Sequence, residues 1–249
     1  MTCLSRLRTA LLAVLLAATG SSAASAAGAQ PVAILAYHHI GAAPRGAARP
    51  ELWVPRTLLR RQLAALARAG YLAVTLDQVW RAWHGAGTLP AHPVVLSFDD
   101  GYASQAGAAA SLLRAHRWPG VLNLQVARLD AHGGISRVQV RRLIRDGWEI
   151  DAHTLTHPDL TTLDGAELRR QVAGSRQWIR RRLDVPAAFF CYPAGRYDSA
   201  VIAAVRAAGF LGATTENQGP AGPRNGMFTL DRVRLNRSDG IAGLSARLR

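Results

Sequence analysis

Residues 94–102 read Val94-Val95-Leu96-Ser97-Phe98-Asp99-Asp100-Gly101-Tyr102, an apolar run that stops at two adjacent carboxylates and a glycine. Val94, Val95 and Leu96 have the composition of a strand buried on both faces, as in parallel α/β sheets, and such sheets bind ligands beyond the carboxyl ends of their strands. Asp99 and Asp100 therefore fall where chemistry is done. Neighbouring residues on a strand point to opposite sides, so the two aspartates suit two separate tasks, one facing a metal and one facing a proton.

A matching pair of imidazoles lies downstream in His153-Thr154-Leu155-Thr156-His157, directly after the strand-like Trp148-Glu149-Ile150-Asp151. If this segment is helical, residues four apart share a face and both rings reach one cation. One aspartate with two histidines leaves a coordination position open for water, the arrangement of catalytic zinc, although iron, cobalt or nickel also accept mixed oxygen and nitrogen ligands. Asp-Asp-Gly alone is a common turn, and an isolated pair of histidines is commonly a surface feature. Together, each at the end of a strand-like run, they point to a hydrolytic metal site.

These segments resemble the motifs of the carbohydrate esterase family 4 polysaccharide deacetylases, the NodB-homology domain. Ser97 to Gly101 is similar to that family's Thr-Phe-Asp-Asp-Gly motif, with serine for threonine, and His153 to Pro158 to its His-Thr-x-x-His-Pro motif. Phe190-Cys191-Tyr192-Pro193-Ala194-Gly195 resembles its third motif, and Ala33 to His39 the opening Leu-x-Tyr-His strand of a circularly permuted branch, the poly-N-acetylglucosamine deacetylases. The resemblance implies a single-domain, distorted (β/α)7 barrel of the α/β class that removes acetyl groups from N-acetylated glycans. An O-acetyl esterase and a catalytically silent carbohydrate-binding domain are the alternatives. Carried over, Asp99 is the general base, Asp100, His153 and His157 hold one divalent metal, and the Tyr192 backbone N–H faces the oxyanion.

Two departures from the family pattern stand out. Most members supply the general acid from a late Leu-x-His motif, yet no histidine follows His157. His38, immediately after Tyr37 in the amino-terminal strand, takes that role in the permuted branch and is preferred here to His39. The third motif also lacks the arginine that usually holds the base. Arg196 lies near but not at the matching position, so the partner of Asp99 is unassigned.

Composition sets the surroundings. Residues 1–29 carry Arg6 and Arg8, an apolar stretch from Ala10 to Ala18 and small-residue cleavage sites, the pattern of a secretory signal peptide, so residues 30–249 are read as an extracytoplasmic domain. That apolar stretch is too short for a membrane span. Without the signal Cys191 is the only cysteine, which excludes an internal disulfide. Lysine is absent and the 30 basic residues are all arginine, for a net charge of +14. A lysine Schiff base and a Walker-type phosphate loop are therefore excluded. The arginines are spread along helical segments without interleaved aromatics, which argues against nucleic acid and for a solvated surface or association with an anionic envelope. Trp53, Trp118 and Trp148 are read as sugar-stacking or core residues. The expected partner is a glycan, and no sequence feature specifies an oligomeric state.

Strand-like segments alternate with helical ones along the chain: Val32 to Tyr37, Leu72 to Thr75, Val94 to Asp100, Gly120 to Val126, Trp148 to Asp151, Ala188 to Tyr192, Leu211 to Thr215 and Arg232 to Leu235, separated by helices such as Leu76 to Trp83 and Gly165 to Leu183. That alternation specifies a parallel sheet.

Overall fold

A computed structural model describes residues 29–248. Strand β1 (Ala33–Tyr37) is followed by the two-residue strands β2 (His39–Ile40) and β3 (Trp53–Val54), helix α1 (Arg56–Arg68), β4 (Leu72–Ala73) and α2 (Leu76–Trp83). Then come β5 (Pro93–Asp100), α3 (Ala110–Ala115), β6 (Val121–Leu124), α4 (Arg137–Arg145), β7 (Glu149–Ala152) and α5 (Gly165–Leu183). The chain ends with β8 (Phe189–Cys191), α6 (Ser199–Ala207), β9 (Gly212–Gln218), β10 (Leu230–Arg234) and α7 (Gly240–Arg247). Three helices start where the sequence supplies caps: Thr75 with Gln78 and Ser136 with Gln139 form capping boxes at α2 and α4, and Asp164 accepts two backbone N–H groups at the head of α5.

The strands are parallel, and the order β1-β10-β9-β8-β7-β6-β5 returns to β1 through a β1–β5 ladder. Seven strands thus close into a barrel ringed by helices, the distorted (β/α)7 fold expected, with β4 paired to the start of β5. Closure explains why all eight residues of β5 are buried: β1 takes one edge from Ala33↔Val94 to Tyr37↔Phe98, and β6 pairs with the carboxyl-terminal half.

Period-two alternation decides what faces the barrel interior. Val94, Leu96 and Phe98 point outward into the core shared with Leu59, Leu63 and Leu113 of the helices. Val95 points inward with Ile34, Val121, Phe189 and Leu230. Two residues further along the same inward rows stand Ser97, Asn123 and Arg232, all buried, and then Asp99. The barrel is therefore apolar in its lower part and polar toward the carboxyl ends of its strands, where the site must lie.

Three features differ from the sequence expectation. The helix after β5 opens with a π-helical turn, Gln105–Ala109, whose Gln105 side chain donates to the carbonyls of His38 and Asp99. The β2–β3 ribbon is too short to leave a periodic signal, and α7 is an added terminal helix. No helix among the described residues is long and apolar enough to cross a membrane. The signal-peptide reading, residues 1–29, lies outside the described residues save for Ala29.

At the amino-terminal end of the barrel, Glu149 and Asp151 occupy the same inward row of β7. Glu149 accepts the Asp77 N–H at 3.2 Å and Asp151 the Phe189 N–H at 2.9 Å, while the second oxygen of each carboxyl is buried with no donor among the described residues. Burial pushes Glu149 up to about 7, and burial with the neighbouring Glu149 charge raises Asp151. A carboxyl whose folded pKa is raised stabilises the fold below its unfolded pKa and loses that contribution as pH rises through the folded one. Glu149→Gln is therefore expected to melt above the wild type at pH 8, by about 2–4 °C for each kcal/mol recovered, and to lose the advantage by pH 4. A pH-independent difference in melting temperature would contradict this.

Candidate active site

Strand β5 ends in a forced turn. Asp100 has φ 76° and Gly101 φ 90°, and a Cβ on Gly101 would sit 2.8 Å from a methyl carbon of Leu124, so glycine is required there. The turn aims the Asp100 carboxylate at the segment after β7. His153 Nε2 lies 3.5 Å and His157 Nε2 3.6 Å from Asp100 Oδ1. The segment is not the helix that would place histidines four apart on one face. Thr154 and His157 both have left-handed φ, 66° and 64°, and the Thr154 hydroxyl accepts the His157 N–H at 2.8 Å. Gln171 on α5 clamps this loop by accepting the N–H groups of Leu155 and Thr156.

The three side chains fit a divalent cation. One ligand atom from each of Asp100, His153 and His157 lies within 4.8 Å of the other two. His153 Nδ1 faces the Cys191 carbonyl at 2.7 Å, which fixes the tautomer that leaves Nε2 with its lone pair. A second group, Asp99 with His153 and Cys191, also lies within that span, but it is fully buried and its carboxylate is already neutralised by an arginine.

That arginine is Arg232, from β10. Its guanidinium meets both Asp99 oxygens, Nη1 to Oδ1 at 2.9 Å and Nη2 to Oδ2 at 2.8 Å, while Asn123 Nδ2 donates to Oδ1 at 2.7 Å. Arg232 is held in turn by the Thr215 carbonyl through Nε and by Glu216 through Nη2, each at 2.7 Å. Asp99 and Arg232 are each 1% exposed. Burial alone would push the Asp99 carboxyl up, but the Arg232 charge outweighs it and holds the group well below the usual carboxylate range. Arg232 answers the question left open by the third motif. The sequence reading placed it in a strand but gave it no role, and the available signal was its inward parity in the Leu230–Arg234 alternation.

The remaining sequence candidates fall as follows. His38 lines the cleft with Nε2 3.9 Å from Asp99 Oδ2, and its Nδ1 is buried without a partner among the described residues. His39 is stacked between Trp53 and Tyr102, with ring centroids 3.8 and 3.5 Å away, and burial lowers its pKa to about 4. The expectation for Tyr192 is corrected: its N–H donates to the Thr214 carbonyl at 3.1 Å and its hydroxyl to that of Phe228 at 3.0 Å, so the strand ladder has claimed the amide. Trp118 and Trp148 are core residues. Cys191 is a buried thiol, and Arg196 pairs with Asp159. Asp99, Asp100, His38, His153 and His157 share a cleft of about 390 Å³. A larger groove of about 830 Å³ beside Arg176 and Arg180 contains none of them.

Comparisons with known proteins identify the family and the fold. The polysaccharide deacetylase family model matches residues 86–213, and the chain belongs to that family. YxkH of Bacillus subtilis is 26% identical over 151 residues, covering 60% of this chain and 53% of that protein. The poly-β-1,6-N-acetyl-D-glucosamine N-deacetylase of Escherichia coli is 41% identical over 68 residues, 27% of this chain and 10% of that enzyme. The chain thus spans about half of the first relative and a small part of the second. Among solved structures, the Streptococcus pyogenes deacetylase PplD in complex with acetate superposes with a TM-score of 0.83 at 22% identity, covering 88% of this chain and 99% of PplD, which establishes a shared fold.

Replacing Arg232 isolates the ion pair. Arg232→Gln leaves Asp99 buried without its counter-charge, and the expected cost is about 3–5 kcal/mol in urea unfolding. Because Arg232 depresses the Asp99 pKa, its removal should move the acid limb of the kcat/KM profile to higher pH. An unchanged acid limb would show that Asp99 does not depend on Arg232 for its charge.

Proposed function

We propose that this protein is a metal-dependent hydrolase that removes acetyl groups from N-acetylated glycans, N-acetylglucosamine polymers of a cell wall or exopolysaccharide. The observation that carries the reading is a carboxylate kept ionised by a buried arginine, Asp99 with Arg232, beside the convergent donors Asp100, His153 and His157. Family membership and the substrate of the Escherichia coli relative support the reaction class and the substrate. The signal-like residues 1–29 support action outside the cytoplasm, with 30–249 as one catalytic domain.

Asp100, His153 and His157 would hold the ion, zinc in the first instance, and a bound ion would supply Lewis-acid polarisation of the acetyl carbonyl and a lowered pKa for the attacking water. Asp99 accepts the water proton. The Arg232 charge keeps Asp99 ionised, the state in which a carboxylate can accept a proton. His38 donates to the departing amine, a poor leaving group unless protonated as the C–N bond breaks. Its distance of 3.9 Å from Asp99 supports an acid and a base acting on the same small substrate group.

His153→Ala and His157→Ala are expected to lose stoichiometric metal on dialysis, whereas Asp99→Asn should keep it and lose most acetate release from chitooligosaccharides and poly-N-acetylglucosamine. Metal retained by both histidine variants, or no acetate from any N-acetylated glycan, would sink the assignment. His38→Ala should lower the rate on a glycan amide by about 10²–10⁴-fold with unchanged metal content. The loss should be smaller on an activated aryl acetate, and equal losses on both substrates would remove His38 from the acid role.

A further inference from the structure

Three arginines, Arg49, Arg128 and Arg234, line the cleft that holds Asp99 and Asp100.

 Two of them already face carboxylates: Arg49 Nε lies 3.2 Å from Glu51 Oε1, and Arg234 Nη1 lies 3.3 Å from Glu216 Oε2, which Arg232 also shares. Arg128 has no carboxylate partner among the described residues. Its guanidinium lies instead over the Tyr102 ring, 4.5 Å from the centroid. His39 stacks on Tyr102 as well and Trp53 stacks on His39, so the four side chains form a column, Trp53–His39–Tyr102–Arg128. Burial keeps His39 neutral at physiological pH, with a pKa of about 4, so the column carries a single charge, at Arg128.

The backbone bearing Arg128 is fixed by a tight turn. A Cβ on Gly134 would fall 1.9 Å from the Arg128 carbonyl oxygen, so only glycine lets the following turn close against it. The Arg128 N–H donates to Gln125 O at 3.0 Å, and its carbonyl accepts the Ala131 N–H at 3.2 Å. Arg234 adds a second unmet donor, its buried Nε, which has no partner among the described residues. A pre-ordered guanidinium with no counter-charge binds an oxyanion with little ordering cost, whereas a neutral N-acetylglucosamine polymer offers it no charge to pair with.

We propose that Arg128, supported by Arg234, is a specificity residue that binds an anionic oxygen substituent, a carboxylate or a phosphate, on a sugar adjoining the one that is deacetylated. The inference rests on the deacetylase reading of the cleft and adds to it the charge of the substrate. It also supplies discrimination, because the same cation repels polymer already converted to free amines.

The test compares four soluble oligosaccharides with the full-length protein: N-acetylglucosamine oligomers, oligomers in which alternate sugars carry a carboxylate ether, the same oligomers with that carboxylate amidated, and oligomers carrying a phosphate ester. Wild-type kcat/KM at low salt should be about tenfold or more higher for an anionic oligomer than for the amidated one, with the better of the carboxylate and phosphate arms identifying the source of the anion. In Arg128→Gln that preference should fall below about threefold, and Arg128→Lys should recover only part of it, because an ammonium lacks the guanidinium fork. Equal kcat/KM for anionic and amidated oligomers, or a preference unchanged in Arg128→Gln, would overturn the proposal. Calorimetric binding of the same oligosaccharides to Asp99→Asn keeps the two readings separable. Absence of acetate release from every oligomer would refute the deacetylase reading, while an anion preference in binding that Arg128→Gln abolishes would still support the Arg128 site, and its absence would refute that as well.

Discussion

The Asp99–Arg232 pair is the constraint on which the upper half of the barrel is arranged. Removing two charges from water is costly, and their attraction repays that cost only when geometry is good and the remaining hydrogen-bonding capacity is met. Both conditions hold. Asn123 completes the Asp99 shell, Thr215 and Glu216 complete that of Arg232, and Ser97, which donates to the Leu35 carbonyl at 3.0 Å, lies 3.4 Å from the guanidinium. These groups come from β5, β6, β9 and β10, so the pair is satisfied only when the ring of strands is closed. A core of hydrophobic residues would stabilise the fold more simply, and retaining an ion pair here makes sense where a permanently ionised carboxylate is needed at the floor of a cleft.

The local parts of the site were legible in the sequence. An apolar run ending in Asp99-Asp100-Gly101, and two histidines just past another strand, are short-range patterns, and the bounds of α2 and α5 were equally plain because their caps and breakers are adjacent in the chain. Arg232 was not legible, since 133 residues separate it from Asp99 and it is one of many arginines in a chain without lysine. Only the closed sheet distinguishes an arginine inside the barrel from those on the helices. The Tyr192 amide failed for a related reason: a motif identifies a residue, but the ladder partner of its N–H is set by the neighbouring strand.

The loop carrying the histidines shows a different limit. Asp100, Thr154 and His157 all adopt left-handed backbone conformations without being glycine, each at a cost of about 1–3 kcal/mol. Such strain persists only where the surroundings over-determine it, and here Gln171, the Thr154 hydroxyl and the Cys191 carbonyl provide those restraints. An i, i+4 spacing suggested a helix because helices are the cheapest way to bring two such side chains together. The protein instead uses a strained loop, which lets His153 stay buried while His157 remains partly open to the cleft.

The position of His38 follows from strand order and not from chain order. Register pairs Ile34 with Val95 and Ala36 with Ser97, so the next inward position on β1, His38, falls opposite Asp99, the next inward position on β5. Neighbouring strands lie about 4.8 Å apart, and two inward side chains at matched register must therefore meet. β1 also lies between β5 and β10, the strands of Asp99 and its arginine, with Leu35↔Val233 and Ala36↔Arg234 paired on its other edge. A histidine on that strand reaches Asp99 whether the strand comes first or last in the chain, because barrel closure fixes the neighbours and the connection between them runs outside the site.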